Sequence, residues 1–216
     1  MVHILGERNS IFNVFIAELR NVSVQQDSMR FRRNLERIGE IIGYELSKKL
    51  NYANREIETP LGIADMSLPT DEIVLGTILR AGLPMHQGIL NYFDGAQNAF
   101  ISAYRKHHKD GTFDIQVEYL SSPPLEGKVL ILCDPMLATG QSMVLAWKAL
   151  TETMGKPKHT HFVAALGSEE GVSHTRLHMP ENATLWVGAI DPELNAKSYI
   201  IPGLGDAGDL AYGPKM

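Results

Sequence analysis

Apolar positions early in the chain recur with the period of a helix. Phe31, Leu35, Ile38, Ile42 and Leu46 are spaced four, three, four and four apart, which places them on one stripe and leaves Arg32, Arg33, Glu36, Arg37 and Glu40 for the other faces. The pattern predicts helices over 10–20 and 25–50, the stripe of the second packing on a sheet or on another subunit. Over 55–68 the chain reads as extended, punctuated by Pro60 and Gly62, so an edge hairpin is expected there. Further apolar runs at 72–79, 129–133, 160–166 and 184–190 read as strands. The run Val129-Leu130-Ile131-Leu132-Cys133 lacks polar alternation, as in a strand covered on both faces. Helices are expected from near Pro84, over 143–150 and over 169–179. This alternation predicts an α/β fold built on a parallel sheet with flanking helices. Between the first two of these strands, 99–105 and 113–120 flank a turn holding Asp110-Gly111, a strong hairpin signal for an antiparallel arm.

The length of 216 residues suits a single domain, 1–216, with a sizeable core. Within it, about 1–70 would hold the N-terminal helices and hairpin, and about 71–190 the core sheet with its arm near 99–120. About 191–216 would form a small terminal hood. A formal net charge of −5 argues against a dedicated nucleic-acid binder. Arg30, Arg32, Arg33 and Arg37 cluster on one helix, but Glu36, Glu40 and Glu45 interrupt them, so a solvated or intersubunit face is expected. One cysteine precludes an internal disulfide, and the N-terminus lacks a signal-peptide pattern. No run has the length of a transmembrane helix, so a cytoplasmic soluble protein without membrane contact is expected. His174 and His178 have the spacing of paired metal ligands, yet no Glu follows His174 as H-E-x-x-H requires, and no third ligand is evident.

The richest chemistry lies where the 129–133 strand ends, in Asp134-Pro135-Met136-Leu137-Ala138-Thr139-Gly140-Gln141-Ser142. Proline interrupts a ladder, and a segment of helix formers follows. Loop amides at the positive end of a helix dipole, the hydroxyls of Thr139 and Ser142, and a glycine that lets an anion approach the backbone together form a phosphate cradle. Asp134 beside such a site implies that sugar hydroxyls or a divalent metal are held as well. A second unit, Leu79-Arg80-Ala81-Gly82-Leu83-Pro84, repeats the arrangement with a cation that can fork two donors onto a phosphate. A third, Ser198-Tyr199-Ile200-Ile201-Pro202-Gly203-Leu204-Gly205-Asp206-Ala207-Gly208-Asp209, is too apolar for a linker and too rich in glycine for a regular helix, so a shaped ligand loop is expected.

The first of these strings resembles the phosphoribosyl-pyrophosphate (PRPP) loop of type I phosphoribosyltransferases, and its Asp-Pro-Met-Leu-Ala-Thr-Gly form is similar to that of the uracil branch. Leu79 to Leu83 and Tyr199 to Asp209 resemble that branch's pyrophosphate loop and uracil-binding segment, with weaker support from Tyr104-Arg105. The resemblance implies the type I phosphoribosyltransferase fold, with a β-arm and a base-binding hood. It implies transfer of phosphoribose from PRPP to N1 of uracil, giving UMP and pyrophosphate. Arg80, Arg105, Asp134 and Asp206 would be the catalytic residues. PRPP would be bound by these and by Pro135, Met136, Leu137, Ala138, Thr139, Gly140, Gln141 and Ser142. Ile200, Gly205, Asp206 and Ala207 would contact uracil. Mg²⁺ would be the cofactor, bound mainly through PRPP and not directly by the protein. A homodimer or higher homo-oligomer, and GTP as nucleotide effector, are further expectations of the resemblance.

Two departures from the family pattern stand out. Gln141 occupies a position often held by glycine, and a helical φ is expected there. Leu210-Ala211-Tyr212-Gly213-Pro214 replaces a basic residue and Phe-Gly-Thr. Two alternatives are weighed against the uracil enzyme: a phosphoribosyltransferase for another base, and a PRPP-binding regulator that binds RNA or DNA through its arginine-rich helix.

Overall fold

The computed structural model describes the backbone of residues 1–107 and 113–214, and their side chains except at 103–107 and 113–117. Six parallel strands form the body of the main sheet: β1 (Val2–Ile4), β10 (Ala183–Asp191), β9 (His159–Ser168), β7 (Val129–Cys133), β4 (Ile73–Leu79) and β5 (Gln97–His107), in that spatial order. β6 (Phe113–Ser121) closes one edge antiparallel to β5, as the arm pattern predicts, and the two-residue β8 (Met136–Leu137) pairs with β9. The turn between β5 and β6 with its Asp110-Gly111 signal lies outside the described residues.

Alternate residues of each strand feed two cores. Val129, Ile131 and Cys133 of β7 face α1 (Phe12–Arg20), α2 (Ser28–Ser47) and α3 (Leu83–Leu90). Leu130 and Leu132 face α4 (Gln141–Met154) and α5 (Glu169–His178). All five strand residues are buried, as the unbroken apolar run requires. The stripe of α2 is fully buried at Phe31, Leu35, Ile38, Ile42 and Leu46, so it packs on the sheet of its own chain. That helix starts at Ser28, three residues later than expected, because Asp27 caps it by accepting from the amides of Met29 and Arg30. The arginines of α2 are tied down locally: Arg30 to Glu18, Arg33 to Glu36, and Arg32 to the carbonyl of Ala211.

One expectation needs correction. The hairpin of β2 (Tyr52–Thr59) and β3 (Gly62–Pro69) forms its own two-stranded sheet and does not extend an edge of the main one. β1 and β6 already occupy those edges, and both hairpin strands are largely solvent-exposed. At the N-terminal end of the main sheet, His3 stacks on Trp186 at 4.3 Å, and the Trp186 indole donates to His161 Nδ1 at 3.1 Å. Among the described residues no helix is long and apolar enough to cross a membrane.

Candidate active site

β4 and β7 are hydrogen-bonded neighbours, with Thr77 opposite Cys133, so the loops at their C-terminal ends rise side by side. The loop after β7 does not simply end the strand at Pro135. The Pro135 carbonyl accepts from the amides of Ala165 and Leu166, and β8 then resumes pairing with β9 before α4 begins at Gln141. The positive φ that the turn needs, 75°, falls on Gly140 at the N-cap; Gln141 is helical, as expected. Past Gly140 the Gln141 amide donates to Thr139 Oγ1 at 3.5 Å, and the amides of a first helical turn have no carbonyl partner within the helix itself.

This loop rests on α5. Ser168 Oγ donates to the Ala138 carbonyl at 2.5 Å and accepts from the Gly171 amide at 2.8 Å, so one hydroxyl both caps α5 and fixes the loop. A Cβ on Gly140 would fall 2.6 Å from both the Gly171 carbonyl and Thr175 Oγ1. The sequence gives one clue to this support, a serine at a strand-to-helix junction followed by acids in the first helical turn; Gly171 and Thr175 carry no such clue.

Arg80 follows β4, across a cis Leu79–Arg80 peptide. Its Nη2 donates to the Gly213 carbonyl at 3.1 Å and to Asp209 Oδ1 at 3.4 Å, while its Nε is buried without a partner among the described residues. The C-terminal segment that departs from the family pattern thus supplies a carbonyl to hold this guanidinium.

The third loop is anchored by a two-stranded ribbon of β11 (Glu193–Leu194) and β12 (Ile200–Ile201). Its glycines Gly203 and Gly205 have φ of 54° and 94°. A Cβ on Gly205 would meet no atom within 4 Å, so its backbone lies open. The shaped loop ends sooner than expected. Asp206 Oδ1 accepts from the Asp209 amide at 2.9 Å and caps a short helix, α6 (Ala207–Tyr212), which accommodates Gly208. Ile200 and Ala207 are buried.

The three loops border one cleft of about 640 Å³. Its wall includes Arg80 and Ala81 from the first loop. From the second it takes Asp134, Met136, Leu137, Ala138, Thr139, Gly140 and Ser142, and from the third Ile200, Gly205, Asp206 and Ala207. Lys197, Ser198 and Tyr199 also line it: Ser198 and Tyr199 open the expected ligand loop without having been named as contacts, and Lys197 lies outside every motif. Pro135 and Gln141 fall outside the lining: the first is buried under β9 and the second is exposed. The backbone of Arg105 lies in β5 opposite Ile115, and its side chain is outside the described residues.

Burial pushes the Asp134 carboxyl up to about 7, opposed only by the Met136 amide, which donates to Oδ1 at 3.3 Å. Burial likewise pushes the neighbouring Cys133 thiol up to about 12, leaving it a packed, unreactive group. Asp134 and Asp206 are the carboxylates on the cleft wall. Among the described residues no group of three or more His, Cys, Asp and Glu side chains is placed to hold a metal ion. The rings of His174 and His178 lie 4.2 Å apart, tilted by 34°, and His178 Nδ1 is bonded to the His174 carbonyl.

Comparison with known proteins gives a consistent picture. The sequence model of the uracil phosphoribosyltransferase family matches residues 8–214. A uracil phosphoribosyltransferase of Porphyromonas gingivalis is 55% identical over 98% of this chain and 98% of its own length. One from Thermococcus gammatolerans is 37% identical over 93% of this chain and 88% of its own. A solved protein from Aquifex aeolicus superposes with a TM-score of 0.86 at 30% identity, covering 99% of this chain and 98% of that one. The orotate phosphoribosyltransferase of Mycobacterium tuberculosis, at 12% identity and a TM-score of 0.51 over 87% and 94% of the two chains, shares the type I phosphoribosyltransferase fold. Three separated loop motifs that converge on one cleft, and a match to the family along nearly the whole chain, lead to one conclusion: the chain belongs to the uracil phosphoribosyltransferase family.

Proposed function

We propose that this chain carries out its family's reaction in the cleft above β4 and β7, transferring the phosphoribosyl group of PRPP to N1 of uracil with release of pyrophosphate. The observation that carries this reading is the meeting of Arg80, the 136–142 loop and the 200–207 loop at one edge of a parallel sheet, the C-terminal edge where such sheets bind ligands. The whole chain is read as one domain, with 191–216 as a hood over the cleft.

In this reading the amides and hydroxyls of 137–142 at the start of α4 anchor the 5′-phosphate, and Asp134 accepts from the ribose hydroxyls. Arg80, joined by Arg105, receives the charge that develops on pyrophosphate as the bond from C1′ breaks. Backbone groups around Ile200, Gly205 and Ala207 read the acceptor–donor–acceptor edge of uracil and hold N1 against the opposite face of the sugar. Catalysis is then mainly positioning and electrostatics, since the cationic ribose and the anionic leaving group each meet a prepared environment.

Mg²⁺ fits as an ion carried in by the diphosphate, because Asp134 and Asp206 are too few to cage it alone and, among the described residues, the Met136 amide alone offsets the burial of the Asp134 carboxyl. Such an ion would neutralise charge on the leaving group. Self-association is part of the reading: the β2–β3 hairpin projects Leu61, Ile63 and Met66 into solvent, with Leu61 fully exposed, an apolar surface suited to a second copy. A cytoplasmic setting accords with a single cysteine buried in the core.

The decisive assay offers PRPP with uracil, orotate, hypoxanthine or xanthine separately and follows pyrophosphate release. Release with uracil and none with the others is expected. Release with a purine and not with uracil would overturn the assignment.

A further inference from the structure

We infer that Arg20 and Asp191, assisted by Gln25, are positioning residues for base recognition. They hold the peptide groups of Gly203 and Leu204 from behind, so that the backbone of Gly205 to Ala207 meets uracil in one orientation. This rests on the reading that the 200–207 loop binds the base.

Asp191 ends β10 and is 5% exposed; Arg20 ends α1, 171 positions earlier in the chain. The guanidinium grips the carboxylate with two bonds, Nη1 to Oδ2 at 2.7 Å and Nη2 to Oδ1 at 2.8 Å. Both groups also reach one further residue. The Gly203 amide donates to Asp191 Oδ2 at 3.0 Å, and the Gly203 carbonyl accepts from Arg20 Nη1 at 3.2 Å. The next carbonyl, that of Leu204, accepts from Gln25 Nε2 at 3.1 Å, and the same amide nitrogen donates to the Leu19 carbonyl at 2.7 Å. Gly203 itself tolerates no side chain, since a Cβ there would overlap the Ile200 carbonyl.

None of these three side chains lines the cleft, so their effect on the ligand must pass through the backbone. A buried ion pair is a weak device for stability alone, because desolvating both charges offsets most of their attraction. As a device for orientation it is well suited, since it presents a donor and an acceptor in fixed register to both sides of one residue. Immediately downstream, Gly205 has φ of 94° and open space among the described residues where a side chain would stand. A base read through main-chain amides and carbonyls needs those groups fixed in advance, and a small rotation at Gly203 would misdirect every one of them.

The test is steady-state kinetics with uracil and PRPP varied in turn, alongside thermal unfolding, on Arg20→Gln, Arg20→Lys, Gln25→Met and Gly205→Val. For Arg20→Gln the KM for uracil should rise about tenfold or more, with the KM for PRPP within about twofold. Arg20→Lys should recover part of the loss. Gln25→Met should show the same split to a smaller degree, and it carries the test if Arg20→Gln fails to fold. A parallel rise in both KM values, or an unchanged KM for uracil in the Arg20 and Gln25 variants, would overturn the inference. Gly205→Val separates the two levels of the argument. If it leaves uracil binding unaltered, the assignment of the base to this loop fails. If it weakens uracil while the Arg20 and Gln25 variants do not, only the positioning role fails.

Discussion

The Cα of Gly171 in α5 lies so close over the carbonyl of Ala138 that no side chain fits between the helix and the 136–142 loop. Contact is mutual, because Gly140 in the loop is equally tight against the Gly171 carbonyl and Thr175. Helix and loop therefore fit as one rigid unit, tied by the Ser168 hydroxyl. Gly171→Ala should push the loop away from α5, raising the KM for PRPP about tenfold and lowering stability by about 1–3 kcal/mol, as overpacking does. Kinetics and thermal denaturation of the purified variant check both effects.

Arg80 is the cation that the first loop brings to the cleft. Replacing it with Ala should lower turnover on the order of 10²-fold or more by removing stabilisation of the leaving group. The melting temperature should change little, because its carboxylate partner Asp209 is a partly exposed contact at 3.4 Å. Near-normal turnover would remove Arg80 from the mechanism.

Asp134 offers a trade between stability and function. Its folded pKa, about 7, lies above the unfolded value near 4. Burial of this carboxyl therefore costs nothing at low pH, and the cost grows as pH rises from about 4 through 7, where the unfolded chain ionises more readily than the folded one. Asp134→Asn should thus be more stable than the parent at pH 8, by about 1 kcal/mol or more, equivalent to about 2–4 °C. The gain should vanish near pH 4, and PRPP binding measured by calorimetry should be poor at both values. Unchanged affinity for PRPP would contradict the ribose assignment.

His161 titrates in the opposite sense. Burial depresses it to about 3, helped by neighbouring His159, so the ring stays neutral and accepts from Trp186. With the folded pKa below the unfolded value near 6.5, its contribution to stability is complete above that value and is lost as pH falls from 6.5 toward 3. His161→Phe should flatten the decline in melting temperature across that window, at the cost of stability at pH 8, where the Trp186 indole loses its acceptor.

The β2–β3 hairpin carries the expectation about assembly. The double variant Leu61→Asp, Ile63→Asp should lower the solution mass measured by light scattering and leave helix and strand content intact by circular dichroism. A mass unchanged from the parent would exclude this hairpin as the contact.

Much of this architecture is legible in the sequence because it rests on local signals. An unbroken apolar run gave β7, helical spacing gave the buried face of α2, and glycine with hydroxyl residues ahead of helix formers gave the turn into α4. What was missed depends on contacts between distant parts of the chain. Arg20 and Asp191 are 171 positions apart, and neither residue type nor spacing reveals that they meet. The resumption of pairing beyond Pro135 follows from a difference in strand length: β9 has ten residues against five in β7, leaving backbone groups that β8 takes up. The separateness of the β2–β3 hairpin was equally hidden, since residue alternation says which side of a strand is apolar and not which strand lies beside it.

Because the Arg80 loop and the Asp134 loop leave two directly bonded strands, their origins are one interstrand step apart, about 4.8 Å. The sheet thus acts as a ruler. In the proposed reading it sets a molecular pitch between the grip on one end of the substrate and the grip on the other, and that pitch is as resistant to mutation as the backbone ladder itself. Side-chain changes along these loops can alter how firmly each end is held, but a substrate with its two anionic ends spaced differently would call for another pair of strands.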